Sequence, residues 1–506
     1  MSASHPLLHH GLARAAARRG DHVALRAGDR AWSFAELDRC ARGFARVLAG
    51  RGIGPGRRVA VMMSNRPELV VAVHAVSRVG AAAVLLSPAW KEREVGHALD
   101  LTEPVHAVAD GDATSMLATR LGHDGVTDVD SPPLLERAAS TADEPEPPVD
   151  DTAEAVLVFS SGTTGMPKAV RHTHRSLGHA TDHWVASLGL GPDDRFQVAT
   201  PPSHILGLLN LLAAASAGAT VRLHARFDLD EVLRCIGSDR LTLEMAVAPI
   251  ALAMANHPDL ERHDLSSLRY IMWGATPVTP QVAERVTERT GVRWLPAYGA
   301  SELPVIACNP VDRPGDWRLD SAGLPPAGVE LRVVDLDTGA ALAPGEVGEI
   351  QVRSASAMAG YLPDDATAAA FDDGWFRTGD VGWLEPAGWV HLTDRSKEMI
   401  KVKGFQVAPA EIESVLHGHP AVLDCAVFGV PDDAAGEVPV AAVRLDPGRP
   451  VADGELAQLV ADSLATYKRL SRVIVVDRIP RLPSGKVLRR ELRAAWTPLA
   501  GVEGDR

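Results

Sequence analysis

Cysteine is scarce. Four residues, Cys40, Cys235, Cys308 and Cys425, stand far apart in a chain of 506 and form no Cys-x-x-Cys pair. Their spacing argues against a disulfide framework or a cysteine-built zinc site, and it fits a reducing cytoplasm. Positive charge is short as well: 51 Lys and Arg face 65 Asp and Glu, a net charge of −14. That deficit argues against nucleic acid as a main partner, since a phosphate backbone demands a basic surface; it leaves room for a local basic pocket. Long apolar runs are missing too. The N-terminus, MSASHPLLHHGLARAAARRG, holds no uninterrupted apolar core of signal-peptide length. The most apolar window, Ile205 to Val221, is broken by Asn210, Ser216 and two glycines, so it reads as a buried helix and turn and not as a membrane span. No repeat of fixed period runs along the chain.

What is present is the composition of a globular enzyme, 46% apolar and 23% charged, in a chain long enough for two or more domains. Ser33 precedes Glu36 by three positions, a capping-box signature at the head of an amphipathic helix within Trp32 to Leu48. Arg58 to Met63 predicts a strand, Pro67 to Val79 a helix and Ala81 to Leu86 another buried strand. That order implies parallel pairing in an α/β layer fold. Ala139 to Asp150, acidic and proline-rich, reads as a surface connector whose role is spacing. The alternation continues through 151–393. From about residue 395 a smaller unit follows, with strand, helix and strand patterns around Ala410–Leu416, Ala421–Val430 and Arg472–Val476. His9-His10 reads as a polar tail. His179 and His183, four apart on an expected helix, have no third ligand in view and read as a solvated helix face, not a zinc site.

Candidate chemistry accumulates in five strings. Ala155 to Phe159 (AVLVF) suits a buried strand, and it empties into Ser160 to Lys168, SSGTTGMPK. Gly162 and Gly165 let backbone N–H groups approach an anion with no Cβ in the way. Ser160, Ser161, Thr163 and Thr164 add hydroxyl donors, and Lys168 a mobile point charge. Ala169 follows the lysine, so this is not a Walker loop; alone, the string is equally an ordinary polar turn. Tyr298 to Glu302 (YGASE) places a carboxylate just after a tight glycine turn, either a magnesium ligand or a solvated turn residue. Trp375 to Asp380 (WFRTGD) ends in another turn-exposed acid, suited to accept from two ribose hydroxyls. Asp394 to Glu413 (DRSKEMIKVKGFQVAPAEIE) alternates Arg395, Lys397, Lys401 and Lys403 with Met399, Ile400, Val402 and Phe405, as in a strand pair with one wet face. Pro480 to Arg490 is a proline- and glycine-bounded loop that displays Lys486.

In this order and at these separations the five strings resemble the adenylate-forming superfamily of acyl- and aryl-CoA ligases, luciferases and free-standing adenylation domains, over about residues 10–495. The string from Asp394 is most similar to the 4-coumarate:CoA ligase-like branch. The resemblance implies a multi-domain α/β fold: a large N-terminal domain of layered sheets and helices over 1–393, a hinge at 394–397 and a small mobile C-terminal α+β domain over 398–506. It implies ATP, Mg²⁺ and, as co-substrate, coenzyme A, with a small-molecule acid as substrate. Thr163, Thr164 and Lys168 would hold the β- and γ-phosphates within the loop of Ser160, Ser161, Gly162 and Gly165, and Glu302 with Thr164 would bind Mg²⁺. Asp380 and Arg395 would grip the ribose; Tyr298 would stack beside the adenine, bordered by Gly274 and Ala275, with Gly299 and Ser301 in the same turn. Lys486 would reach the α-phosphate and the attacking oxyanion. Lys397 matches the hinge position, Lys401 and Gln406 the residues that serve the site after the small domain turns, and His204 the gate histidine beside the acyl pocket.

The departures from the family pattern cluster at the substrate end. Ser301 replaces the usual Thr before the metal Glu and keeps a hydroxyl. Trp273 stands where Ser-Gly-Ala is usual, an indole expected at the pocket floor; Ser203 replaces the aromatic before the gate histidine; and Leu295-Pro296-Ala297 precedes Tyr298. These changes favour a compact aromatic or short acid over a long-chain fatty acid. The stretch after Pro201 holds no acid that would pair an α-ammonium, which disfavours an α-amino acid. Three rival outcomes remain open: a diazotase-like relative that activates nitrite for attack by an aryl amine, an acyl-AMP ligase that loads a carrier protein, and a non-catalytic nucleotide-binding protein. The last predicts decay of Lys486, Glu302 or Asp380, and all three are present.

Overall fold

A computed structural model describes residues 6–131, 133–138, 146–160, 167–275, 278–395, 398–402, 405–432, 435–482 and 485–496. Its largest sheet has seven strands in the order Gly360–Leu362, Lys168–Thr173, Glu154–Ser160, Ala82–Leu85, Arg58–Met62, His106–Ala109 and Val126–Asp128. The last five run parallel, and the first two close one edge antiparallel. Helices cover the parallel strands, which is why Ala155–Phe159 is apolar at every position and buried throughout. The helix Phe34–Gly50 begins with the expected capping box: Glu36 N–H donates to Ser33 Oγ at 3.2 Å, and Ser33 N–H to Glu36 Oε2 at 2.7 Å.

Two four-stranded sheets complete the layers, one ordered Arg30–Ser33, Val23–Ala27, Thr220–Leu223, Arg195–Val198, the other Leu243–Ala246, Tyr270–Trp273, Trp294–Tyr298, Ala307–Cys308. An antiparallel sheet built on Gly348–Ser354 and Trp375–Leu384 ends in Val390–Arg395, the last strand before the small unit. The small unit carries its own sheet, Phe405–Val407, Ile400–Val402, Gly436–Leu445 and Val422–Asp432, with Arg472–Val475 parallel to Gly436–Leu445. Ile400, Val402, Ile412, Leu416, Val422 and Val427 form a core of its own there. The strand pair expected from the alternating charges is present, with Lys401 outward and Ile400 and Val402 inward. Phe405 is the exception: it is exposed and stacks on Tyr467 with ring centroids 4.4 Å apart.

Other expectations need correction. A helix, Pro409–His417, stands where a strand pattern was read, and a strand, Val422–Asp432, where a helix was read. Pro409 suits a first helical turn, where its missing N–H leaves no bond unmade, and Ile412 and Leu416, four apart, bury one face. The following segment pairs with Gly436–Leu445 along its length, and tertiary pairing overrides local pattern. His9 is buried, not a frayed tail: its Nδ1 lies 2.9 Å from Ser77 Oγ and its Nε2 2.9 Å from Glu146 Oε2. The acidic connector therefore does more than space, since Glu146 also pairs with Arg78. The His9 hydrogen bond holds the Glu146 carboxyl down to about 2. His179 and His183 are half-buried on the helix His174–Leu188. All four cysteines are buried free thiols, and among the described residues no helix is long and apolar enough to cross a membrane.

Candidate active site

The strands Glu154–Ser160 and Lys168–Thr173 form an antiparallel hairpin with Ser160 opposite Lys168. Ser161, Gly162, Thr163, Thr164 and Gly165, at its tip, lie outside the described residues. At the tip's exit the Pro167 carbonyl meets His97 Nε2 at 2.9 Å. Lys168 Nζ lies 5.3 Å from the centroid of the Tyr361 ring, over its face, and the Tyr361 hydroxyl donates to Glu302 Oε1 at 2.7 Å.

Glu302 is set by the turn that follows Tyr298. A Cβ at Gly299 would stand 2.0 Å from the Pro304 carbonyl oxygen, so only glycine fits so close an approach. The turn closes by Ala300 N–H to the Leu303 carbonyl, 3.0 Å, and Ile306 N–H to the Tyr298 carbonyl, 2.9 Å. The Ser301 carbonyl accepts from His172 Nε2 at 2.8 Å, and burial holds that imidazole down to about 4, hence neutral. Met358 N–H donates to the Glu302 carbonyl at 2.8 Å. Both flanks of the acid are tied down by backbone contacts, which leaves its side chain to be aimed by Tyr361.

Asp380 is not turn-exposed as the sequence suggested. It is 8% exposed within the strand Trp375–Leu384, where Gly379 takes a left-handed φ of 69° and Thr378 Oγ1 accepts from Asp380 N–H at 3.0 Å. The Tyr298 hydroxyl donates to its Oδ2 at 2.5 Å. Arg395 pairs with Asp380 across the ladder.

A cavity of 190 Å³ lies between the two units. Trp273, Ala275, Tyr298, Gly299 and Asp380 line it from the large unit, and Lys486 from the small one. Ala275, a non-glycine residue at φ 66°, carries local backbone strain at this wall. Trp273 is fully buried with its ring 5.2 Å from that of Trp294, so the indole fills the helix-covered core and only borders the cavity. Gly274 is buried one residue back along the chain. Lys486 Nζ lies 3.8 Å from Glu398 Oε1; Glu398 also pairs with Arg489, which donates to Glu413 at 2.6 Å.

Several sequence candidates are not among the described residues lining that cavity. His204 is half-buried ahead of the helix Ile205–Ala217, and burial holds its imidazole below the ordinary value. Lys401 is exposed and stands opposite Gln406 on the strand pair of the small unit. Lys397 lies outside the described residues. Sequence reasoning missed Tyr361, Glu398, Glu413 and Arg489. The last three lie inside the strings Asp394 to Glu413 and Pro480 to Arg490 but were given no role; Tyr361, between Gly360 and Leu362, gave no signal.

A layered large unit, a small unit that brings Lys486 to the cavity and a cavity closed by both are the architecture of an adenylate-forming enzyme. The family model described as AMP-binding enzyme matches residues 12–362, and that described as AMP-binding enzyme C-terminal domain matches 411–486. The 4-coumarate–CoA ligase 2 of Oryza sativa subsp. japonica is 37% identical over 500 residues, covering 92% of this chain and 88% of its own. Among solved structures, the anthranilate CoA ligase AuaEII in complex with anthranoyl-AMP superposes with a TM-score of 0.91 at 26% identity, covering 98% of each chain. The amide bond synthetase McbA from Marinactinospora thermotolerans does so with a TM-score of 0.87 at 32% identity, covering 97% of this chain and all (100%) of its own. The chain belongs to the AMP-binding enzyme family, as an ATP-dependent ligase of the adenylate-forming type.

Proposed function

We propose that the protein adenylates a small carboxylic acid, aromatic or short-chain, and transfers the acyl group to coenzyme A. The observation that carries this reading is the convergence of Tyr298, Asp380 and Lys486 on one cavity of 190 Å³. The compact acid is inferred from Trp273, whose indole borders that cavity.

In the first step an oxygen of the acid attacks the α-phosphorus of ATP, and the bond to the β-phosphate breaks with its electron pair leaving on pyrophosphate. Two anions must meet, so the barrier is largely electrostatic. Lys486 offsets the charge that develops on the α-phosphate, while Lys168 and the hairpin-tip donors Thr163 and Thr164 hold the leaving phosphates. Asp380 and Arg395 orient the ribose and Tyr298 the base. Glu302 fits Mg²⁺, one of its oxygens held by Tyr361 and the other a hard donor of the kind the ion takes, and the family resemblance adds Thr164 as its partner. When bound, Mg²⁺ neutralises phosphate charge.

In the second step the thiol sulfur bonds to the acyl carbon, its proton is lost, and the carbonyl–oxygen bond to AMP breaks. The thiol needs a path through the place Lys486 holds, so the small unit, 398–506, turns about 394–397 and brings Lys401 and Gln406 round. The contacts between units suit such a motion. Asn256 Nδ2 reaches the Leu423 carbonyl at 3.4 Å and Ser414 Oγ meets Gln281 Oε1 at 3.2 Å, while Arg285 faces the like charge of Arg449. These are weak ties.

A second acceptor is supported by the likeness to an amide bond synthetase: an amine in place of the thiol. Pyrophosphate exchange over small carboxylates, repeated with nitrite, tests the first step, and product analysis with coenzyme A or an aryl amine tests the second. Exchange with an aryl or short acid and a thioester product is expected. Exchange with nitrite alone, or amide as the only product, would overturn the coenzyme A reading.

A further inference from the structure

Lys168 and Glu302 carry opposite charges and reach the same tyrosine. The ammonium lies over the Tyr361 ring, 5.3 Å from its centroid, and the carboxylate takes the Tyr361 hydroxyl at 2.7 Å. The ring is itself well placed. Its strand, Gly360–Leu362, pairs antiparallel with the lysine's strand, Tyr361 opposite Val170 and Leu362 opposite Ala169. Tyr361 N–H donates to Thr367 Oγ1 at 2.9 Å, and the segment just before the strand ties Met358 N–H to the Glu302 carbonyl. The strand thus bridges the lysine of the hairpin and the backbone of the acid.

Both charges reach one ring, and without it they would attract each other, so that each would compete with the other's ligand. We propose that Tyr361 is a positioning residue that keeps Lys168 and Glu302 from pairing, its face holding the cation and its hydroxyl the anion. The inference rests on the reading above that Lys168 meets phosphate and Glu302 a divalent cation. It predicts two separable functions for one side chain: the ring protects the lysine, and the hydroxyl aims the carboxylate.

The test is calorimetric titration of ATP into the full-length protein, once in EDTA and once in excess Mg²⁺, with melting temperatures of the ligand-free variants alongside. In EDTA, Tyr361→Phe should bind ATP within about twofold of wild type because the ring remains, while Tyr361→Leu should bind about tenfold more weakly. Adding Glu302→Gln to Tyr361→Leu should restore binding to within about threefold of wild type, because the lysine has lost its competitor. In Mg²⁺, Tyr361→Phe should bind about three- to tenfold more weakly than wild type. Wild-type affinity of Tyr361→Leu in EDTA, or a double variant as weak as Tyr361→Leu alone, would overturn the proposal. Should Tyr361→Leu fail to fold, Tyr361→Phe decides: a loss confined to Mg²⁺ supports the proposal, and equal loss or none under both conditions overturns it. A wild-type protein that binds no ATP overturns the functional reading itself, whereas binding with indifferent Tyr361 variants removes only this inference.

Discussion

Replacing Tyr298 by phenylalanine removes one oxygen and keeps the ring. The lost hydroxyl donates to Asp380 Oδ2 at 2.5 Å, and that carboxylate is 8% exposed. A hydrogen bond to a charged group contributes roughly 1.5–3 kcal/mol, and a buried acceptor stranded without its donor sits at the upper end. Asp380 also borders the cavity, where water can take the hydroxyl's place, and Thr378 and Gly379 still fix its backbone. The lower end therefore applies, about 1.5 kcal/mol. If that energy goes into aiming the carboxylate at the ribose, ATP should bind about tenfold more weakly, since about 1.4 kcal/mol is a factor of ten. On the proposed reading the retained ring still stacks on the base, so the loss should fall on KM for ATP while KM for the acid stays within about twofold. Pyrophosphate exchange at saturating acid reads the first quantity, and thermal unfolding without ligand reads any general loss of stability. A Tyr298→Phe protein with wild-type KM for ATP would refute the idea that this hydroxyl orients Asp380. A lowered melting temperature with unchanged KM would reduce the contact to packing.

Lys486→Ala should slow adenylation by about two to three powers of ten, the scale of losing one group that meets developing charge, yet leave thioester formation from a supplied acyl adenylate within about twofold. Rapid-quench measurement of each half-reaction checks this, and equal loss in both would count against a turning domain. Glu244 is fully enclosed, accepts from Gln197 Nε2 at 2.6 Å, and is pushed by burial up to about 8. Its folded form holds the proton more tightly than the unfolded chain, so its contribution to stability is complete below about pH 4.5 and is lost as pH rises toward 8. Glu244→Gln should flatten the fall in melting temperature over that range, and an unchanged profile would refute the neutral acid. His74, His106, His172 and His174 shift the opposite way, each held by burial down to about 4. They keep full stability above about pH 6.5 and lose it as pH falls toward 4, so denaturation in that window should take up more than one proton, measurable from the slope of stability against pH.

How much of this was legible depended on whether a residue's job is local. Ser33 and Glu36 announce a helix start because both partners of the capping box lie within one turn. Gly299 announces a tight turn for the same reason, as the carbonyl that forbids a Cβ belongs to Pro304, five residues on. Asp380 was read as turn-exposed because its glycine neighbour is visible in the chain, while the Tyr298 hydroxyl that covers it comes from another sheet. Helix Pro409–His417 and strand Val422–Asp432 were read in reverse because both runs are apolar enough for either form, and the ten paired positions with Gly436–Leu445 that decide the strand lie outside the run itself. Tyr361 is the limiting case. Its neighbours in sequence carry no chemistry, and its meaning lies wholly in which strand it pairs with: opposite Val170, two residues beyond Lys168, it can touch the lysine with its face and Glu302 with its edge. A shift of one residue in that pairing would turn the ring to the other side of the sheet and leave the two charges facing each other. The charge separation at the site is thus a property of strand register, which no local string encodes.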